Sequence, residues 1–206
     1  MSLKDVNKES FVYLLIFIIY FTFFLGFFLN ENSAGGGGYL GDIRHIWNNQ
    51  KNFNNNTLSY SINSTASGFS ELYKSSRPPL NYILNKFLNP FANNIENLRL
   101  SVFILSIIFP IFLCLGFFIK FNEVNKKFLF LLSIIVLIDP FYRTSSFWAL
   151  EENYGLGFVF ISFLIFYKIK ENKHQNNFLI LLLSFISSCC VYFCGVELKQ
   201  GTALFH

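Results

Sequence analysis

The chain has 206 residues, of which 53% are hydrophobic and only 14% charged, and phenylalanine alone occurs 29 times. Apolar content this high, gathered into runs, excludes a soluble globular domain and predicts an all-α, polytopic membrane protein forming one membrane domain. The net charge of +4 comes from basic residues scattered between the apolar runs, which offers no footing for nucleic acid.

The first predicted span is Phe11 to Leu29. At about 1.5 Å per residue it covers roughly 28 Å, close to the thickness of a bilayer core. Lys4 and Lys8 precede it and no small-residue cleavage site follows, so it reads as an uncleaved span.

An outer loop, residues 30–99, comes next. It opens with NENSAGGGGYLGDIRHIW, a carboxylate (Glu31), a glycine run and then a helical pattern. Tyr39, Ile43, Ile46 and Trp47 fall at i, i+4, i+7 and i+8 and would share one face, while Asp42, His45 and Asn49 would share another. Such a helix lies on a membrane apolar side down, with Asp42 at the water boundary. The glycine run lacks the following Lys-Ser/Thr and the preceding strand of a phosphate-binding loop, so it reads as a hinge or a close approach of backbone. Residues Asn48 to Ser70, rich in Asn, Ser and Thr, read as irregular or as a flap. At Ser75-Ser76-Arg77-Pro78-Pro79 a helix start is signalled. Leu80, Ile83, Leu84, Phe87, Leu88 and Phe91 then make a helical stripe that Asn89-Pro90 ends. The stripe is too short to span and predicts a second interfacial helix beside the first.

Further spans follow at about 100–119, 128–142, 154–167 and 178–193, five in all. Pro110 is expected to kink the second. Asp139-Pro140 lies inside the third, and Arg143 to Tyr154 is expected to be a loop. Lys4, Lys8, Lys120, Lys126, Lys127, Lys168, Lys170 and Lys173 flank one set of span ends, against Arg143 alone on the opposite short loop. The positive-inside rule therefore puts the N-terminus in the cytoplasm of an inner-membrane protein and both polar loops outside. Cys114, Cys189, Cys190 and Cys194 lack metal-ligand spacing and read as packing residues.

Glu31, Asp42, Asp139, Glu151 and Glu152 fall on the predicted outer face. A carboxylate within reach of an acceptor hydroxyl takes its proton as the oxygen attacks an anomeric carbon. A cation stabilises the phosphate that leaves, a role for Arg77 or Arg143. Tyr154 or Trp148 would stack on sugar. Each residue also has a plainer reading. Asp42 would solvate a surface helix, Glu151 and Glu152 would suit a helix N-terminus, and Arg143, Trp47 and Trp148 would anchor at headgroups. His45, three residues from Asp42, leaves a divalent cation open, but two ligands do not make a site.

The layout resembles the GT-C superfamily of membrane glycosyltransferases. The resemblance rests on the acidic residues just after the first span, on Arg77-Pro78-Pro79-Leu80-Asn81-Tyr82 as a PPL-Y-type element, and on DPFYRTSSFWALEENYG, residues 139–155, as a second outer loop. It covers about residues 10–193. It implies transfer of a sugar from a polyprenyl-phosphate-linked donor at the outer face, with Asp42, Glu31, Glu151 and Glu152 as catalytic candidates. Arg77, Arg143, His45 and Tyr154 would bind substrate, membrane lipids would surround the chain, and no resident cofactor is implied. The family's first acidic motif is a tight pair, whereas here Glu31 and Asp42 are separated by the glycine run. Five spans against the family's eight or more, and the unpatterned ending GVELKQGTALFH, lead us to expect an N-terminal portion that is inactive alone. The oligomeric state is not encoded in any pattern we recognise. A flippase or transporter of lipid-linked saccharides, or a non-catalytic membrane assembly subunit, would use the same layout.

Overall fold

The computed structural model describes residues 3–35, 37–67, 79–171 and 177–194. Among them every element is helical. Helix α1 is Leu3–Phe28, and a short π-helical turn, Tyr39–Ile43, leads into α2, Arg44–Asn55. Helices α3 (Leu58–Ser67), α4 (Leu80–Leu88) and α5 (Ile95–Lys120) follow. Then come α6 (Lys126–Ile134), a 3₁₀ turn (Ile135–Ile138), α7 (Pro140–Phe147), α8 (Glu151–Glu171) and α9 (Asn177–Cys194).

Residues Ser10–Phe28 of α1 and all of α5 are long and apolar enough to cross a membrane. The bent pair Lys126–Ile138 and Pro140–Phe147 is a third such element if taken as one span. These helices mark the chain as membrane-embedded. Helix α5 begins one turn earlier than expected because Asn94 caps it, accepting the Asn97 N–H at 2.8 Å. The helix runs on through Pro110.

Helices α1, α5 and α7 meet in an aromatic core. The Phe23 and Phe147 rings lie 5.0 Å apart, and those of Phe27 and Phe103 stack at 4.0 Å. Helices α5 and α8 approach closely because two glycines leave room. A Cβ at Gly157 would meet the Phe109 ring at 2.5 Å, and one at Gly116 would meet Phe163 at the same distance.

Four expectations are corrected. The segment 48–70 is not irregular where described: α2 runs to Asn55 and α3 begins at Leu58. Its asparagines find specific partners, Asn54 Nδ2 donating to the Ala92 carbonyl at 2.6 Å and Asn56 Nδ2 to the Asn52 carbonyl at 3.0 Å. The third apolar run is not one continuous helix, since it bends by 68° at Asp139. Asp139 is the N-cap of α7, accepting the Tyr142 N–H at 2.8 Å, with Pro140 at the first helical position. The expected loop 143–154 is mostly helix, and only Trp148, Ala149 and Leu150 connect α7 to α8. Finally, the two faces assigned to residues 39–49 do not stay intact. Ile43, Ile46 and Asn49 are buried together, while His45 is exposed. Asn49 follows Ile46 by three residues within the regular helix α2 and so lies on its buried side, with Gln50 and Phe53.

Helix α4 is inverted relative to a helix of a soluble protein. Its polar residues Asn81, Tyr82 and Asn85 are buried. On its outer side Phe87 and Leu88 are 63% and 74% exposed, and Phe91 just beyond is 62% exposed. Lys86 turns back to donate to the carbonyls of Phe53, at 2.6 Å, and Asn56, at 2.8 Å. The outer side is thereby kept free of that charge.

Candidate functional site

Two helix ends place the carboxylates. At the end of α1, Asn30 adopts a left-handed conformation (φ 56°), and the Glu31 N–H returns to the Gly26 carbonyl at 2.9 Å. At the end of α7, Ala149 does the same (φ 55°), and the Leu150 N–H returns to the Ser145 carbonyl at 2.9 Å. Both are Schellman-type terminations, in which a single left-handed residue reverses the chain. One delivers Glu31, and the other delivers Glu151 to the first turn of α8.

Glu31 pairs with Arg143. Arg143 Nε donates to Glu31 Oε1 at 2.7 Å, and Nη2 donates to Glu31 Oε2. Two further donors are also engaged, Nη2 with the Thr22 carbonyl at 2.8 Å and Nη1 with the Leu137 carbonyl at 3.2 Å. The Arg143 hydrogen bond holds the Glu31 carboxyl below its ordinary value against a partial desolvation, with help from Ser33. Gly26 is required beside the pair, because a Cβ there would run into Arg143, Glu31 and the Phe147 ring. Two further bonds strap the segment after α1 onto α7 and the turn that follows it. Trp148 Nε1 donates to the Glu31 carbonyl at 3.1 Å, and the Ala34 N–H donates to Thr144 Oγ1 at 3.0 Å.

Arg99 was not singled out from the sequence. It is buried, donates to the carbonyls of Phe147 at 2.7 Å and Phe27 at 2.9 Å, and lies over the rings of Phe27 and Trp148. It thus caps the C-terminal ends of α7 and α1 with one cation. Its position immediately before an apolar run was the available signal.

Glu151 is 4% exposed and accepts from the Tyr82 hydroxyl at 3.1 Å. That hydroxyl in turn accepts from Asn49 Nδ2 at 3.1 Å, and Asn49 Nδ2 lies 3.3 Å from His45 Nε2. A chain of polar contacts therefore runs from exposed His45 on α2, through α4, to the buried first turn of α8. Burial pushes the Tyr82 hydroxyl well above the ordinary tyrosine value, and neighbouring Glu151 adds to the shift. Tyr82 stays protonated and acts as a donor. A second link joins the same helices, Tyr154 donating from its hydroxyl to Asn85 Oδ1 at 2.8 Å. Beneath it, Asn153 Nδ2 donates to Ser106 Oγ at 2.8 Å and the Tyr142 hydroxyl to the Ser106 carbonyl at 2.6 Å.

The sequence candidates thus separate. Glu31 and Arg143 come together, and His45 and Glu151 are joined through Asn49 and Tyr82. Glu152 sits half-buried in the same first turn of α8. Asp42 is half-buried, and one carboxylate oxygen accepts the Gly38 N–H at 3.0 Å; among the described residues this is its one hydrogen bond. Tyr154 is buried against α4 rather than presented to a ligand. Arg77 lies outside the described residues. Among the described residues no three of His, Cys, Asp and Glu gather as a metal-ligand group. No protein-family model, curated protein or solved structure matches the chain.

Proposed function

We propose that the chain is a portion of a GT-C-type membrane glycosyltransferase, transferring a sugar from a polyprenyl-phosphate-linked donor to an acceptor at the outer face of the inner membrane. In this reading the bilayer is crossed five times: by α1, α5, the bent α6–α7 pair, α8 and α9. Helices α2 and α4 lie over their outer ends. The observation that carries it is the hydrogen-bonded path from His45 through Asn49 and Tyr82 to Glu151. It ties α2, which follows directly on the turn bearing Asp42, through α4 to the first turn of α8. A carboxylate fixed at a membrane boundary is what deprotonation of an acceptor requires.

The roles then divide as follows. Asp42, half-exposed and with one oxygen held by a backbone N–H, takes the acceptor's proton. The acceptor oxygen bonds to the anomeric carbon, and the bond from that carbon to the phosphate oxygen breaks. Arg143 is engaged by Glu31, Thr22 and Leu137, which leaves neutralisation of the departing phosphate to Arg77. Glu31 and Glu151 position the scaffold. His45, on the exposed side of α2, binds acceptor hydroxyls.

The test is transfer in membrane vesicles containing the full-length enzyme, supplied with a panel of polyprenyl-phosphate hexoses and short saccharide acceptors. Asp42→Asn keeps an oxygen for the Gly38 N–H, so insertion is expected to be unchanged while transfer is lost. Turnover equal to the parent ends the assignment. Movement of the donor across the bilayer with no product favours a flippase, and a stoichiometric co-purified protein with neither activity favours an assembly subunit.

A further inference from the structure

At the end of the molecule opposite Glu31, a cleft of about 460 Å³ opens between α5 and α8, lined by Ile119, Lys120, Tyr167, Lys170 and Glu171. Its origin lies in the packing just before it. Gly116 lets α8 press against α5 through Phe163. Helix α5 then ends at Lys120, beside Tyr167, while α8 continues for about one further turn, to Glu171. The bulky Tyr167 ring, 4.7 Å from that of Phe163, fills one wall.

The charges facing the cleft do not cancel. Glu171 is paired with Lys168 at 2.8 Å. Neither Lys120 nor Lys170 has a carboxylate partner among the described residues. Lys120 rests instead on the faces of Phe121, at 4.7 Å, and Tyr167, at 5.3 Å. Those contacts hold its stem while the ammonium keeps its remaining hydrogen-bonding capacity. The cleft therefore offers two cations against one acid that is already paired with Lys168, beside apolar Ile119 and Tyr167, where α5, a helix long enough to span a membrane, reaches its end.

We propose that this cleft binds a phosphate-bearing anion, with Lys120 and Lys170 holding the phosphate and the Ile119–Tyr167 floor meeting the carbon chain attached to it. Basic pockets between helices at a membrane boundary take anionic lipid headgroups on these grounds. The site is independent of the carboxylate end and stands whether or not the chain transfers sugar.

The experiment reconstitutes the chain in nanodiscs of phosphatidylcholine alone or of equal parts phosphatidylcholine and phosphatidylglycerol. Retained lipid is counted by native mass spectrometry after extraction, with inorganic phosphate as competitor. The parent is expected to retain phosphatidylglycerol over phosphatidylcholine. K120A/K170A is expected to lower that retention roughly tenfold or more, and K120R/K170R to restore it. Retention resistant to inorganic phosphate identifies a lipid source, and protection by inorganic phosphate in phosphatidylcholine alone identifies the free anion. K127A removes a lysine that lies over Tyr13, outside the cleft. Equal losses in K127A and K120A/K170A, or no preference for either anion in the parent, overturn the proposal.

Discussion

Arg143 on α7 and Glu31, 112 residues earlier in the chain, are joined by parallel guanidinium–carboxylate contacts at the point where α1 ends. The pair joins the end of α1 to α7 across most of the described chain. Arg143 is nearly enclosed, with a side chain 9% exposed, while that of Glu31 is 30% exposed.

Removing one partner strands the other. Glu31→Ala leaves an enclosed guanidinium with only backbone carbonyls, at a cost of about 2–3 kcal/mol. Arg143→Lys costs a similar amount, because an ammonium cannot reach Glu31, Thr22 and Leu137 in one geometry. Thermal unfolding in detergent measures both, and an unchanged midpoint for either variant shows that the pair does not stabilise the fold.

The same pair sets an acid limit. The folded Glu31 value lies below the ordinary 4.5, chiefly through the Arg143 hydrogen bond. The unfolded chain therefore takes up this proton first as pH falls. The contribution to stability is complete above pH 4.5 and fades as pH drops through the depressed folded value. A pH series of unfolding midpoints is expected to fall more steeply for the parent than for Glu31→Gln below pH 4.5. Parallel curves count against the linkage.

Tyr82→Phe removes one donor from buried Glu151 and one acceptor from Asn49 without changing the ring that stacks on Phe53 at 5.4 Å. A loss of about 1–3 kcal/mol is expected. Hydrogen exchange is expected to rise in α2 and α4 more than in α5, since the lost bonds tie those two helices to α8. A uniform rise across all helices argues that the hydroxyl does not fasten them.

The outward side of α4 is expected to sit in lipid. A bimane label on F87C or L88C is expected to be quenched by brominated acyl chains, and a label on H45C much less so. Equal quenching at all three sites contradicts an apolar side facing the bilayer.

Much of the long-range plan is written in local pattern. The apolar runs give the C-terminal ends of α1 and α5 to within a residue, while both helices start earlier than the runs do, and Leu80 to Leu88 gives α4 with its stop at Asn89. Less visible is whatever depends on which way a face turns. The polar residues Asn81 and Asn85 look like a solvated surface until lipid, rather than water, is placed on the other side. Asp139-Pro140 is a helix-start signal that an apolar run disguises as mid-span. Asn30 is a plausible left-handed residue, but Ala149 is not, so the turn that delivers Glu151 carries no sequence mark. The partnership of Glu31 with Arg143 was hidden for a different reason: each looked like a group reserved for a ligand, and a one-dimensional reading does not show that two such groups satisfy one another.

Every acceptor that Arg143 uses precedes it in the chain. Thr22 and Glu31 are synthesised more than a hundred residues ahead, and Leu137 just before. A guanidinium arriving at the edge of hydrocarbon, where an unpaired charge is costly, thus finds its docking place already built. Birth order on the ribosome becomes an assembly instruction: the earliest helix waits as a receptor for a later one. A split version of this protein that supplies its first helix last must carry Arg143 uncompensated in the interval.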